Sequence, residues 1–147
     1  MPLMQHIRLL DHTAQPSETF ACGDPITIEI QLMPNTGVQI AHVGVAFNDQ
    51  FEHRLFTAGT YHTPHPWHMS GGELVRCTIG TLPLAPGIYT LTLAAGPEGH
   101  STRDWLQHAI GITVVESDFY GCGKLPNASL GPVLIKSQWD IVTHRDQ

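Results

Sequence analysis

Ten histidines in 147 residues are the first feature with chemical potential, and three recur at every third position in Tyr61-His62-Thr63-Pro64-His65-Pro66-Trp67-His68. On a helix that spacing would gather the imidazoles on one side, where they could ligate a metal. Pro64 and Pro66 exclude a regular helix, and structural zinc sites pair such histidines with cysteines or a second histidine cluster. The expectation is a proline-stiffened, solvent-facing loop without metal, with a metal-dependent enzyme as a rival reading. Nucleophilic catalysis finds no support. There is no Gly-x-Ser-x-Gly elbow, and none of Cys22, Cys77 and Cys122 has a neighbouring histidine in a catalytic pattern. Glu29, Glu73 and Asp104 are candidate glycosidase carboxylates, but thirteen acidic residues always allow some pair. Gly121-Cys122-Gly123-Lys124 looks like part of a phosphate loop, yet Asp118 and Leu125 stand where that motif needs Gly and Ser or Thr. The chain is expected to be non-catalytic and to need no cofactor.

The aromatic loops fit another chemistry. Sugar rings stack their C–H faces on Trp and Tyr, while their hydroxyls need amide, carboxylate, imidazole or guanidinium partners. Tyr61 and Trp67 fall in a 59–71 loop, and Trp105 falls in a 96–107 loop beside Arg103 and Asp104. A second candidate surface is an outward sheet face bearing Glu29, Gln31, His42, Asn48, Arg76, Thr78, Thr90 and Thr92, polar and largely uncharged, as a neutral glycan would require.

The elements that position these residues are strands. Ile26, Ile28, Ile30 and Leu32 alternate with Thr27, Glu29 and Gln31, the period of a half-buried strand. The same alternation recurs at Val43/Val45/Phe47, Val75/Cys77/Ile79, Tyr89/Leu91/Leu93 and Ile110/Ile112/Val114, and 14 Gly with 11 Pro punctuate the gaps. Strands are expected near 5–10, 25–33, 39–48, 53–58, 72–79, 87–95, 108–116 and 133–141. Eight short strands with regular turns indicate an all-β antiparallel sandwich of immunoglobulin or jelly-roll type. If consecutive strands are antiparallel, loops 33–38, 59–71 and 96–107 emerge at one end and loops 11–24, 80–86 and 117–132 at the other, so Tyr61, Trp67 and Trp105 could converge.

Length suits a single domain, residues 1–147, burying about 70% of the unfolded chain's surface. Seven basic against thirteen acidic residues give a formal charge of −6, which disfavours nucleic acid because clustered Lys and Arg are missing. Three scattered cysteines suggest free thiols in a reducing compartment, with one disulfide plus a spare thiol as the alternative. No apolar run reaches the roughly 18 residues of a membrane span and no signal-peptide pattern opens the chain, so it is expected to be soluble; its start resembles that of a domain cut from a longer protein.

The tail is the most specific stretch. Asp118-Phe119-Tyr120-Gly121 precedes Pro132-Val133-Leu134-Ile135-Lys136-Ser137-Gln138-Trp139-Asp140-Ile141, and Leu82-Pro83-Leu84-Ala85-Pro86-Gly87-Ile88-Tyr89 lies mid-chain. Together with Ile7-Arg8-Leu9-Leu10-Asp11, Phe20 and Gly23-Asp24-Pro25, this series resembles the C-terminal domain of the ATP-binding subunit of O-antigen polysaccharide exporters (Wzt-type ABC transporters). The resemblance implies a cytoplasmic, non-catalytic domain that binds the O-polysaccharide repeat unit or a modified chain end. It implies as partners the exporter's ATP-binding domain and transmembrane subunit. It also implies a homodimer in which the last strand is exchanged, with Phe119, Tyr120, Leu134 and Trp139 in residues 117–147 serving that exchange. A sixteen-residue loop with Gly121, Gly123 and Gly131 gives reach and hinge freedom. A structural or protein-interaction sandwich without glycan binding is the alternative.

Overall fold

A computed structural model describes residues 2–64, 67–97 and 104–143. Its centre is the strand that alternates most cleanly: Ile26, Ile28, Ile30 and Leu32 are all fully buried, because β-branched side chains on one pleated face pack well against a facing sheet. The strands are β1 (Met4–Leu10), β2 (Thr19–Ala21), β3 (Ile26–Leu32), β4 (His42–Asn48), β5 (Arg54–Gly59), β6 (Leu74–Ile79), β7 (Gly87–Gly96) and β8 (Asp104–Val115), with short 3₁₀ turns at Thr60–His62 and Ala128–Leu130. They form two sheets, ordered β1-β3-β6 and β2-β8-β7-β4-β5. The inner faces enclose one core that includes Ile28, Ile30, Phe47, Leu91, Leu93 and Ile112. The fold is an all-β sandwich, as expected, and every pairing is antiparallel except that of β2 with β8.

Strand β2 lies inside the expected 11–24 loop. Three residues show too little alternation to be read, and the parallel partner, Thr113 to Val115, is over ninety positions away; Phe20 at its centre is nevertheless buried. The expected strand at 133–141 is not formed within this chain. Val133 bridges Leu84, and the amides of Ala85 and Leu134 donate to the carbonyls of Pro132 and Pro83 at 2.9 and 2.8 Å. Leu134 is buried, but from Ile135 to Thr143 the backbone joins no sheet, and Ile135, Trp139 and Ile141 are largely exposed. Alternation alone does not make a strand: the ladder needs an edge to bond, and the described tail is paired with none of the sheet edges of its own chain.

The two ends are arranged as strand parity requires. Ile40 bridges Met69, the Gly72 amide donates to the Met33 carbonyl, and the Ala41 amide donates to the Gly96 carbonyl. At the other end the Gly23 amide donates to Leu82, the Cys22 amide to Val115, and Phe119 packs 3.0 Å from where a Cβ on Gly23 would stand. Gly23 has φ +84, so any side chain there meets both strain and the Phe119 ring.

Within the Leu-Pro-Leu-Ala-Pro-Gly-Ile-Tyr run, a side-chain bond closes the turn: the Tyr89 hydroxyl, buried, donates to the Ala85 carbonyl at 2.6 Å. Tyr89→Phe keeps the ring and orphans that carbonyl, so a loss of ~1–2 kcal/mol is expected in urea unfolding. A loss under about 0.3 kcal/mol would show that the bond is replaced by water.

Candidate functional site: the outer face of the five-stranded sheet

The residues proposed for one outward face divide between two. Glu29, Gln31, Arg76 and Thr78 belong to the three-stranded sheet, whereas His42, Asn48, Thr90 and Thr92 belong to the five-stranded one. These outer faces point away from each other, so no single ligand surface includes both groups. The division follows from chain crossovers that alternation cannot reveal.

On the smaller sheet Glu29 is engaged. Arg8 and Arg76, its neighbours across β1 and β6, each donate through Nε and Nη2, with Nη2 distances of 2.6 and 2.8 Å. The two guanidiniums roof the carboxylate, leaving the Glu29 side chain only 3% exposed. Hydrogen bonds from Arg8 and then Arg76 hold its carboxyl below the usual carboxylate range. Gln31 spends its amide on the carbonyls of Gly72 and Leu32. This face is tied to itself. Because the folded-state pKa is lowered, the unfolded chain takes up the proton first, so the stabilisation is complete above about pH 4.3 and disappears as pH falls through the folded value. Glu29→Gln is therefore expected to melt lower than the parent near pH 7, with the gap closing in acid. Melting curves at stepped pH would refute this if the gap persisted unchanged to pH 3.

The larger sheet has a different outer face. Register places Gly44, Ala46, Ala94 and Gly111 there, a floor of small residues. Trp105 lies opposite Ala94 on β8, not in a loop as expected. The strand, expected from 108, starts at Asp104 because β8 is bulged: Leu91 faces Ile110 and Leu93 faces Leu106, so a two-residue advance on β7 is matched by four on β8, which breaks the alternation. The Arg54 guanidinium on β5 comes within 5.7 Å of the Trp105 ring, although three inter-strand spacings of ~4.8 Å separate β8 from β5. Both side chains must therefore lean across β7 and β4. That explains why the outward-facing Ala46 and Thr92 are buried, while the indole stays 46% exposed as a platform bordered by a cation.

Polar groups stand beside the platform. Asn48 Nδ2 donates to Thr92 Oγ1 at 2.9 Å and to the Thr90 carbonyl at 3.3 Å. Thr92 Oγ1 also accepts from the His108 amide at 3.2 Å, and Thr90 Oγ1 lies 2.7 Å from His108 Nδ1. The turn between β4 and β5 brings Glu52 to 4.0 Å from His108 Nε2. Asp49 shapes that turn: desolvation pushes its carboxyl up, but the amides of His53 and Phe51, each donating at 2.8 Å, prevail and hold it low. Glu52, Arg54 and His108 were missed from sequence. Nothing in a period-two reading marks a residue on a bulge or a turn tip.

The remaining aromatics do not form one cluster. Tyr61 stacks on His42 with ring centroids 5.0 Å apart, at the β4 end of the same outer face. Trp67 is elsewhere: its Nε1 donates to Thr63 Oγ1 at 2.7 Å, and it lines a largely apolar cleft of about 290 Å³ between β5 and β6 with Val45, Val75 and Cys77. Arg103 and His65 lie outside the described residues. Among the described residues no three His, Cys, Asp or Glu side chains come together as a metal-binding group. Asp104 is committed to structure, accepting from the Leu3 and Met4 amides at 2.9 Å each. The cysteines are free; burial pushes the Cys22 and Cys77 thiols up, and Cys122 is exposed.

In the tail segment Phe119 is partly buried and meets Tyr120 edge-on at 5.1 Å. Asp118 accepts from the Gly123 amide at 3.2 Å, so this loop closes on its own carboxylate. Among the described residues no helix is long and apolar enough to cross a membrane.

The molecule is a two-sheet sandwich whose larger sheet carries an aromatic, hydrogen-bond-rich outer face. The Wzt C-terminal domain profile matches residues 3–125, and the chain belongs to that family. The fold is similar to a solved structure, described as the crystal structure of the C-terminal domain of wzt, with TM-score 0.68 and 10% identity over 97% of this chain and 86% of that one. No curated protein sequence matches the chain.

Proposed function

We propose that this domain binds O-polysaccharide, a repeat unit or a modified chain end, on the outer face of the five-stranded sheet, and so confers substrate recognition on an ABC exporter. The half-exposed Trp105 platform beside Asn48, Thr90, Thr92 and His108 carries this reading, because it pairs an apolar ring face with closely spaced donors and acceptors. Family membership supports it. Binding is the whole activity: the domain performs no chemistry, and ATP hydrolysis belongs to another domain of the exporter subunit, at the inner face of the inner membrane. Tyr61 on His42 extends the surface along β4, whereas Glu29, Gln31 and Arg76 serve the fold.

The exposed tail supports a second element of the reading, a homodimer in which residues 135–143 add a strand to the partner's sheet. Two copies would then offer two glycan sites, and a repetitive polymer would gain avidity by occupying both. Calorimetry of the chain against the O-polysaccharide of its source organism tests recognition directly. Heat that saturates with repeat-unit concentration is expected; a folded domain with no binding would end the glycan reading in favour of a protein-interaction module.

A further inference from the structure

Among the described residues, four non-glycine residues hold a left-handed backbone: Ala14, Asn35, Glu52 and His108, with φ of 63°, 55°, 67° and 50°. Such conformations strain an L-residue that has a Cβ, and strain of this kind concentrates where a side chain must be aimed. Two of the four face each other. Glu52, on the β4–β5 turn, and His108, on the β8 bulge, come from segments far apart in sequence, yet Glu52 Oε1 stands 4.0 Å from His108 Nε2. That distance is too long for a hydrogen bond.

The imidazole is already oriented. Thr90 Oγ1 lies 2.7 Å from Nδ1, and the His108 amide is anchored on Thr92 Oγ1. If the Thr90 hydroxyl donates to Nδ1, that nitrogen is the acceptor and Nε2 carries the proton. Nε2–H and the Glu52 carboxylate then present one donor and one acceptor across the gap. An alcohol oxygen satisfies both, accepting from Nε2–H and donating its own proton to Oε1. Bonds of ordinary length, about 2.9 and 2.7 Å, close on the 4.0 Å base with an angle of about 90° at the oxygen, and the Glu52 side chain, 77% exposed, is free to open it.

We propose that Glu52 and His108 form a subsite that reads one free hydroxyl of the sugar next to the ring stacked on Trp105. This rests on the glycan reading above. The backbone of Trp105 lies two same-face steps, ~14 Å, from the Thr90 level that holds the imidazole, and its indole leans toward that level, since Arg54 beside the ring pairs with Asn48 opposite Thr90. The subsite takes a hydroxyl that both donates and accepts. A deoxy, O-methyl or O-acyl group there leaves a carboxylate or an imidazole N–H unpaired and is rejected.

The test is calorimetry of the full chain with the source organism's O-polysaccharide, using Glu52→Gly, His108→Ala, His108→Gln and the Glu52→Gly/His108→Ala double variant, together with imidazole ¹⁵N spectra. Expected are losses of about tenfold for Glu52→Gly and His108→Ala, and a double loss well short of their product, because both act through one hydroxyl. Recovery in His108→Gln and a shift of His108 Nε2 on saturation are also expected. Glu52→Gly should melt at or above the parent temperature, since glycine relieves the left-handed strain; this keeps the test valid if His108→Ala unfolds. Parent-like affinity in Glu52→Gly, or losses that multiply independently, would overturn the subsite while leaving the glycan reading intact. A parent chain that binds no polysaccharide would overturn both.

Discussion

Truncating the chain after Leu134 is expected to convert a dimer into a folded monomer. Leu134 and the bonds around Pro83 and Ala85 belong to the core of their own subunit and would remain. Most of what is removed faces solvent: Ile135 is 79% exposed, Trp139 89% and Ile141 96%, and the Lys136 ammonium lies 5.3 Å from the Phe119 ring centroid. Ile135, Ser137, Trp139 and Ile141 occupy alternate positions, so an extended segment presents one largely apolar face. Residues 135–143 extended cover about 30 Å, enough to run the length of a strand, and β5 and β6 each present an edge strand in the monomer. Such edges invite strand addition. Each large apolar side chain buried contributes ~1.5–3 kcal/mol, and two-fold symmetry counts the segment twice. Light scattering on the full and truncated chains checks the outcome. A full chain that is monomeric at 50–100 µM, or a truncated chain that stays dimeric, would rule out the exchanged strand. Trp139→Ala alone should weaken the dimer without abolishing it.

What could be read from the sequence was whatever depends on local periodicity. Seven of the expected strands occur, and strand parity correctly grouped the loops into two ends, because alternation of buried residues and turn chemistry act over a few residues. The sheet assignment was not legible. Glu29 and Thr92 both alternate outward from a buried strand, yet one sits under two arginines and the other under an indole on the opposite side of the molecule. Partner choice between strands is set by crossovers and by packing of the whole core, and a strand's own residues do not encode it. The candidate site suffered most. Trp105 lies beyond the β8 bulge, and Glu52 and His108 owe their positions to a turn tip and that same bulge, where the pattern stops. The tail shows the reverse case: 133–141 alternates like a strand, yet no strand forms there among the described residues.

Trp105→Ala is expected to remove most glycan affinity, and Trp67→Ala to leave it nearly unchanged. The two tryptophans have similar exposure, 46% and 40%, so exposure cannot decide between them; surroundings do. Trp67 borders an apolar cleft and spends its indole N–H on Thr63. Most of the cleft's lining is apolar, with Thr60, Thr63, Arg76 and Thr78 at its margins, and each sugar hydroxyl buried there unpaired would cost ~1–3 kcal/mol. Trp105 lies on a floor of Gly and Ala, with Arg54 at one side and the Asn48, Thr90, Thr92 and His108 network at the other, so a ring stacked on it keeps its hydroxyls in reach of partners. Truncating a central aromatic anchor costs about 2–3 kcal/mol, a loss of about 30- to 150-fold. Since Trp105 stands on the outer face, opposite Ala94, the core beneath is spared and the variant should fold and, by the tail argument, still dimerise. Calorimetry on both variants, with melting curves as the control, gives the answer. Equal losses from the two would place the ligand at the loop end, and a loss confined to Trp67→Ala would move the site to the cleft between β5 and β6.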